Sequence, residues 1–517
     1  MNKKKSSKSG AVIDIGSHTL KMRVAQFKKG EIADIDRLEY PLHLGHEVFH
    51  EGKISFESLR ELSKALQGYS ELLEGYGVDQ VRVVATTALR EAQNRAYVVD
   101  LLKIQNDMTV QVLEDDQEKT LIYSEMIRFL HQKEDEKEGN ALLTYIGTGS
   151  IGIAVYDGTN VVYSQSIPIG SLKLRDVLYT AGDEPENYHV VIEEYLDAVM
   201  ERIDKSLHGI KISRLVFTGS DINLIARVLG VQPESGCYTL HTAQVRSLYE
   251  TVSPLSPEKI SFRYEISEEE GDILYSALAI YSRLLRFSGA EYILLPMVDL
   301  WDGIMRHMLV PKSVDAYRQH ICGSAIACAE AVAAKYGCPK SHSDTVRRFA
   351  LKIFDKTKAI HGLSNQHRII LELAAILHDC GHYVNTKLHT RSSFDLVKNF
   401  DIYGMTKLNM LLIAYVASYN EFNVPALKEM RFSDLDEQQK ISVSKLVAIF
   451  RLANSLDKSQ KQKLPDIKVR MEHNRFLVTG ETNEDMHLEK WAFAQCAPFF
   501  KEVFGIDPEL TIRLPMI

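Results

Sequence analysis

The chain has 517 residues, 45% hydrophobic and 25% charged, enough for two to four domains with sizeable cores. Its 69 acidic residues outnumber 61 basic ones for a formal net charge of −8, which argues against a general nucleic-acid binder. The basic opening MNKKKSSKSG runs into an apolar stretch that Asp14 breaks at once, no apolar run is long enough for a bilayer, and six cysteines form no CxxC pair; a cytoplasmic protein with free thiols is expected.

In chain order, AVIDIG at residue 11 and LKMRVAQF at residue 20 read as a β-hairpin. A helical window, FESLRELSKALQGYSELLEGYG, follows, then the short strands VRVVAT and VQVLE. The charged stretch HQKEDEKEGN at 131–140 reads as a surface connection. Beyond it the grammar repeats: ALLTYIG and IGIAVYD form a second hairpin, followed by VVYSQSIP, the helix NYHVVIEEYLDAVMERIDKSL and the strand RLVFTG. The alternation predicts an α/β protein with open sheets built as two duplicated halves, residues 1–127 and 128–308. After RHMLVPKS, where Pro311 marks an expected hinge, helical spacing dominates in DTVRRFALKIFDKT, QHRIILELAAILHDCGH, MTKLNMLLIAYVASYN and QQKISVSKLVAIFRLANSLDKS. Residues 309–517 are therefore expected to form an all-α domain, with IKVRMEHNRFLVTG as a closing hairpin followed by a helix and a last strand.

Each hairpin turns through a glycine-serine loop, DIGSHT with Asp14, Gly16, Ser17, His18 and Thr19, and IGTGS with Gly147, Thr148, Gly149 and Ser150. Such turns aim several backbone N–H groups one way and form a nest for an anion. Alone, either loop is as readily an ordinary tight hairpin. Two of them at the openings of duplicated halves favour one phosphate gripped between them.

DIGSHTLKMRV resembles the first phosphate motif of the actin-like, acetate-kinase-like superfamily. ATTALREAQNR at 85–95 is similar to the hallmark of the exopolyphosphatase and guanosine pentaphosphate phosphatase group, Ppx/GppA, and VLEDDQEKTLIYSEM, IGTGSIGIAVYDG, IPIGSLKLRD, LVFTGSDINLIAR and VDLWDGIM follow in that family's order. The resemblance implies an actin-like (ribonuclease H-like) fold that releases terminal phosphate from inorganic polyphosphate or pppGpp with Mg2+ or Mn2+. It implies Glu118 as the carboxylate that readies water, Arg90 and Asn94 as the hallmark pair at the phosphate, with Thr87 beside them, and Asp14 at the metal. Gly219 and Ser220 match the turn that closes the cleft; Gly170 and Ser171 match a structural turn. Two departures stand out. Where the family's second loop carries an aspartate and a glutamate, this chain has Tyr145 and Gly152, and His18 stands where the first loop has asparagine. Neither glycine nor a neutral phenol replaces a carboxylate as a ligand for a hard cation.

His378-Asp379 on an apolar helix, with His342 near the start of an earlier one, resembles the HD fold of metal-dependent phosphohydrolases. That likeness implies a distant acid, whose place is Asn454 with Asp457 one turn later; His382 and His389 are further candidates, and Asn420 stands where a histidine is usual. Lone histidines on apolar helices are commonly core residues, and Lys387, Arg391 and Lys398 read either as a polyanion path or as a wet helix face. The resemblance further implies a helical domain that lengthens the polyphosphate channel and pairs two chains as a homodimer, with no membrane and no specific nucleic acid as partners. Three functions follow: an exopolyphosphatase-like hydrolase, a catalytically weakened binder of polyphosphate or guanosine polyphosphates, and a phosphohydrolase acting through the HD-like domain.

Overall fold

The computed structural model describes residues 8–133, 139–171, 173–174, 188–419, 432, 434–472 and 475–514. Asn420 and the expected surface connection's residues 134–138 lie outside these. The chain divides into two compact units, Met1–Ile321 and Cys322–Ile517.

The first unit holds two sheets of matching topology. In one, β1 (Lys8–Ile15), β2 (Thr19–Lys28), β3 (Glu31–Pro41), β4 (Gln80–Ala85) and β5 (Val110–Val112) lie in the order β3-β2-β1-β4-β5. In the other, β6 (Asn140–Ile146), β7 (Ile151–Tyr156), β8 (Val161–Ile167), β9 (Ile212–Gly219), β10 (Cys237–His241) and β11 (Tyr292–Pro296) lie as β10-β11-β9-β6-β7-β8. In both, the first strand pairs antiparallel with the second and parallel with the fourth. The duplication expected from the repeated hairpins is therefore built into strand order.

The central strands are apolar on both faces because helices cover both sides: Ala11, Val12, Ile13 and Ile15 are fully buried, as are Ala141, Leu142 and Leu143. The helix Phe56–Tyr76 covers the first sheet with Leu59, Leu62, Leu66, Tyr69 and Leu73 at three- and four-residue spacing. Ser55 accepts from the Ser58 N–H at its start and Gly77 closes its end in the left-handed region. Helix Asp115–Gln132 differs, burying Glu118, Lys119, Thr120 and Glu125 along with Ile122, Tyr123 and Met126. A helix polar on its buried side must satisfy those groups internally, and the candidate site is where it does so.

In the second unit, helices Lys340–Lys356, Asn365–Leu377, Lys407–Ser418 and Glu437–Ser455 pack around Phe349, Phe354, Leu373, Ile413 and Phe450. The unit is not all-α. β12 (Ile467–Glu472), β13 (Arg475–Glu481) and β14 (Asp507–Arg513) form a three-stranded sheet, with β12 antiparallel and β14 parallel to β13. Alternation explains it: Ile467 and Val469, then Phe476 and Val478, point inward while Lys468, Arg470 and Arg475 face water. Pro311, read as a hinge, is the first residue of the helix Pro311–Lys335, where its missing N–H costs nothing. No helix among the described residues is long and apolar enough to cross a membrane.

Candidate active site

The two glycine loops close in the same way. Gly16 N–H donates to Thr19 O at 3.0 Å, and Gly147 N–H donates to Ser150 O at 3.0 Å. Loop one is tied to the first half by Thr86 N–H donating to Ile15 O at 3.2 Å, and Gly45 N–H donates to Ser17 O at 2.7 Å. Loop two sits against the same half: a Cβ at Gly149 would lie 2.2 Å from Thr87 Cγ2. Glycine there is a matter of closeness rather than of backbone freedom, and it brings both loops and Thr87 into one cleft.

Helix Asp115–Gln132 supplies the charges between them. Its N-terminus is fixed by a capping box of Glu114 and Gln117. Glu118, 4% exposed, accepts from Arg90 Nη1 at 3.0 Å on Oε2 and from the Tyr145 hydroxyl at 3.2 Å on Oε1. Burial, together with the Glu118 and Asp14 charges, pushes the Tyr145 phenol well above its ordinary value, so it stays protonated and donates. Arg90 also donates to Leu113 O at 2.9 Å, to Thr87 Oγ1 at 3.0 Å and to Asp115 Oδ1 at 3.2 Å. Asp115 is the hub, accepting in addition from Ser150 Oγ at 2.8 Å, Ser166 Oγ at 2.5 Å and Lys119 Nζ at 2.6 Å. Burial alone would raise its pKa; Lys119, Ser166 and Arg90 outweigh that and hold it down at about 2. Lys119 also donates to Ser166 Oγ.

Loop one shows the opposite condition. Asp14 Oδ1 and Ser17 Oγ are buried without a hydrogen-bond partner. Burial first and the Glu118 charge second raise Asp14 to about 7, against the pull of Lys21 and a hydrogen bond from the Trp301 indole. Buried polar atoms left open beside bonded neighbours are what a ligand would fill. His18 faces Glu269 at 3.7 Å and sits edge-on to His43.

Arg90, Glu118, Tyr145 and Thr87 thus meet beside the Gly147–Ser150 loop, and the charge of Glu118 acts on Asp14 of the other loop, which also carries Gly16, Ser17 and His18. Gly219 and Ser220 end β9 beside β6, with Ser220 N–H donating to Ile146 O at 3.3 Å. Asn94 does something else. Its amide donates to Ile54 O at 2.8 Å and accepts from Ile54 N–H at 3.1 Å, so it ties the start of helix Arg95–Asn106 to the backbone of Ile54. The residues missed are Asp115, Lys119, Trp301 and Asp221, which is buried, bonded to Ser220 at 2.8 Å and raised by burial to about 6. The available signal was the Asp115–Lys119 spacing of four with Ser166 opposite, indistinguishable in sequence from a solvated helix face.

Two of the cleft's carboxylates already carry counter-charges: Asp115 accepts from Arg90, Lys119, Ser150 and Ser166, and Glu118 accepts one hydrogen bond on each oxygen, from Arg90 and Tyr145. A hard divalent ion takes oxygen ligands, and of these acids and Asp14 it is Asp14 that has an oxygen without a partner.

The second unit carries a separate cluster, His342, His378 and Asp379, whose ligand atoms lie within 4.8 Å of one another. His342 Nδ1–H donates to Asp457 Oδ2 at 2.8 Å and His378 Nδ1–H to Ala375 O at 2.9 Å. The two Nε2 atoms lie 3.3 Å apart beside Asp379, whose Oδ2 is buried and unpartnered, and burial lowers the pKa of His378. Two imidazole nitrogens and a carboxylate facing one another are the donor set of a borderline or hard divalent cation. Asp457, expected as a ligand, stands behind His342 and also accepts from Gln462 N–H at 2.7 Å; it orients the imidazole instead. His382 stacks on His389 and lies 3.7 Å from Asp379. Lys387, Arg391 and Lys398 are exposed.

The family model of the Ppx/GppA phosphatase family matches residues 23–308, and that of Ppx/GppA phosphatase domain III matches 326–494. A guanosine-5'-triphosphate,3'-diphosphate pyrophosphatase of Aeromonas hydrophila is 20% identical over 86% of this chain and 85% of its own. The Vibrio parahaemolyticus protein of the same name is 21% identical over 87% of each. Among solved structures, the Aquifex aeolicus Ppx/GppA family member is 21% identical, covering 59% of this chain and 99% of its own with a TM-score of 0.51. An exopolyphosphatase from Cytophaga hutchinsonii is 19% identical, covering 58% and 98% with a TM-score of 0.52. These likenesses give the first unit its actin-like fold, and together with the family model they mean that the chain belongs to the Ppx/GppA phosphatase family.

Proposed function

We propose that this protein is a phosphoanhydride hydrolase that takes the terminal phosphate from inorganic polyphosphate or pppGpp in the cleft between the two glycine loops. One observation carries the reading: the Glu118 carboxylate lies between Arg90 and Tyr145 at the loop carrying Ser150, beside the open Asp14 and Ser17 atoms of the other loop. Loop N–H groups hold the terminal phosphate and Arg90 lends its guanidinium to the charge that spreads over the transferring group. A water oriented by Glu118 attacks phosphorus in line, the bond to the bridging oxygen breaks, and Glu118 takes the water's proton. The shortened chain leaves with the bridging oxygen.

A second reading rests on the facing Nε2 atoms of His342 and His378, 3.3 Å apart. We propose that this cluster binds a divalent metal such as Mn2+ through His342, His378 and Asp379, and a phosphohydrolase centre of the HD type is one use for it. Phosphate release from long-chain polyphosphate and from pppGpp separates the readings. The cleft reading expects Glu118→Gln to lower release by about 10²- to 10⁴-fold while His378→Ala keeps most of it. Loss in His378→Ala alone moves the chemistry to the helical unit. Binding without release from either substrate identifies a binder.

A further inference from the structure

Gly152 and Lys119 occupy the same space. A Cβ at position 152 would lie 2.8 Å from Lys119 Cδ, 2.9 Å from Lys119 Cε and 2.3 Å from the Tyr123 hydroxyl. A Cβ at position 152 cannot coexist with Lys119 and Tyr123 where they lie. The lysine is 4% exposed, rare for an ammonium, and its Nζ meets Asp115 and Ser166. Asp115 in turn binds Ser150 of the second loop and Arg90. A fixed cation thus stands one carboxylate away from the loop that would hold phosphate. The ammonium has three N–H donors and two acceptors among the described residues. The two carboxylates that could otherwise recruit a metal, Asp115 and Glu118, already carry Lys119 and Arg90 as counter-charges.

We infer that Lys119 is the built-in cation of this cleft, and that the terminal phosphate of a polyphosphate-type anion is held by Lys119, Arg90 and the loop amides without a divalent ion. The inference rests on the reading that the cleft takes phosphate. It assigns Gly152 a purpose, since glycine is what makes room for the lysine stem. It also assigns one to Tyr145, which donates a neutral hydrogen bond to Glu118 at 3.2 Å without adding a charge that a metal would have to balance.

The test is calorimetric binding of inorganic tripolyphosphate to the full-length protein in EDTA, where no divalent ion is free. Wild type is expected to bind. Lys119→Arg, which keeps the charge, is expected to stay within about threefold of it, and Lys119→Met to bind about tenfold or more weakly, with circular dichroism reporting that each variant is folded. Equal binding by a folded Lys119→Met overturns the inference, as does a Lys119→Arg variant that is folded and no better than Lys119→Met. Wild-type binding that appears only when Mg2+ replaces EDTA overturns it too, while leaving the phosphate cleft standing. No binding in EDTA or in Mg2+ removes the phosphate cleft itself.

Discussion

Asp115→Asn removes the charge on which four donors converge while changing little in shape. The carboxyl is held down from 3.8 to about 2 in the folded chain, and each unit corresponds to about 1.4 kcal/mol, so its ionisation stabilises the fold by about 2 kcal/mol. The group is only 21% exposed, so solvent screens little of this. Lys119, left buried with Ser166 and a neutral amide, adds to the cost; breaking buried pairs typically costs about 3–5 kcal/mol, and an amide oxygen that still accepts places the expectation near the lower end. The sign follows from the depressed value. The stabilisation is present above the ordinary carboxylate range and is lost as pH falls toward 2, so the gap between wild type and variant is constant from about pH 8 to 5 and narrows below about pH 4. The chain has two tryptophans, and Trp301 is buried in the first unit. In a Trp491→Phe background, Trp301 fluorescence during urea unfolding reports that unit alone. Adding Lys119→Met should shrink the cost of Asp115→Asn to below about 1 kcal/mol, because the two share one interaction. Equal costs with and without Lys119, or a gap that widens on acidification, would refute the hub.

Asp14 carries the opposite sign. Its pKa is raised from 3.8 to about 7, chiefly by burial, so its charge destabilises the fold and stability rises as pH falls from about 7 toward 4; Asp14→Asn should raise the urea midpoint most at pH 8, less as pH falls through that window, and leave it nearly unchanged below about pH 3.5. Gly149→Ala should weaken tripolyphosphate binding by about tenfold, since its Cβ would lie 2.2 Å from Thr87 Cγ2, and adding Thr87→Ala should recover part of the loss by calorimetry. Mn2+ at about 100 times its dissociation constant should stabilise the second unit by about 2.7 kcal/mol in thermal melts, and His378→Ala should abolish the shift. Cys338 and Cys380 lie with sulfurs 3.4 Å apart; hydrogen peroxide should join them, consuming one peroxide and releasing two waters, seen as the loss of two hydrogens in intact mass that Cys338→Ser prevents.

What could be read before any coordinates tracks how locally each feature is encoded. The loops DIGSHT and IGTGS announce themselves because a tight turn facing an anion needs glycine at fixed offsets, and their shared Gly N–H to residue+3 O closure is a local bond. Glu118 and Arg90 were legible through the family's motif, and they do meet, at 3.0 Å. Asn94 shared that motif, yet its amide turned to Ile54, forty residues away in the chain. Asp115 and Lys119 escaped because an acid and a base four apart on a helix's first turns look the same whether water or a protein half covers them; only β8, arriving with Ser166, makes that face an interior. Asp457 shows the same limit, since a ligand and the acid behind a ligand differ by one shell and not by spacing. Gly152 marks where this limit bears on chemistry. Taken alone, it is a missing carboxylate and argues for a dead site; with Lys119 lying over it, the same glycine is the vacancy that lets a lysine in. A lost ligand weighs against activity only until the side chain filling its place is known, so substitutions at this cleft have to be judged in pairs.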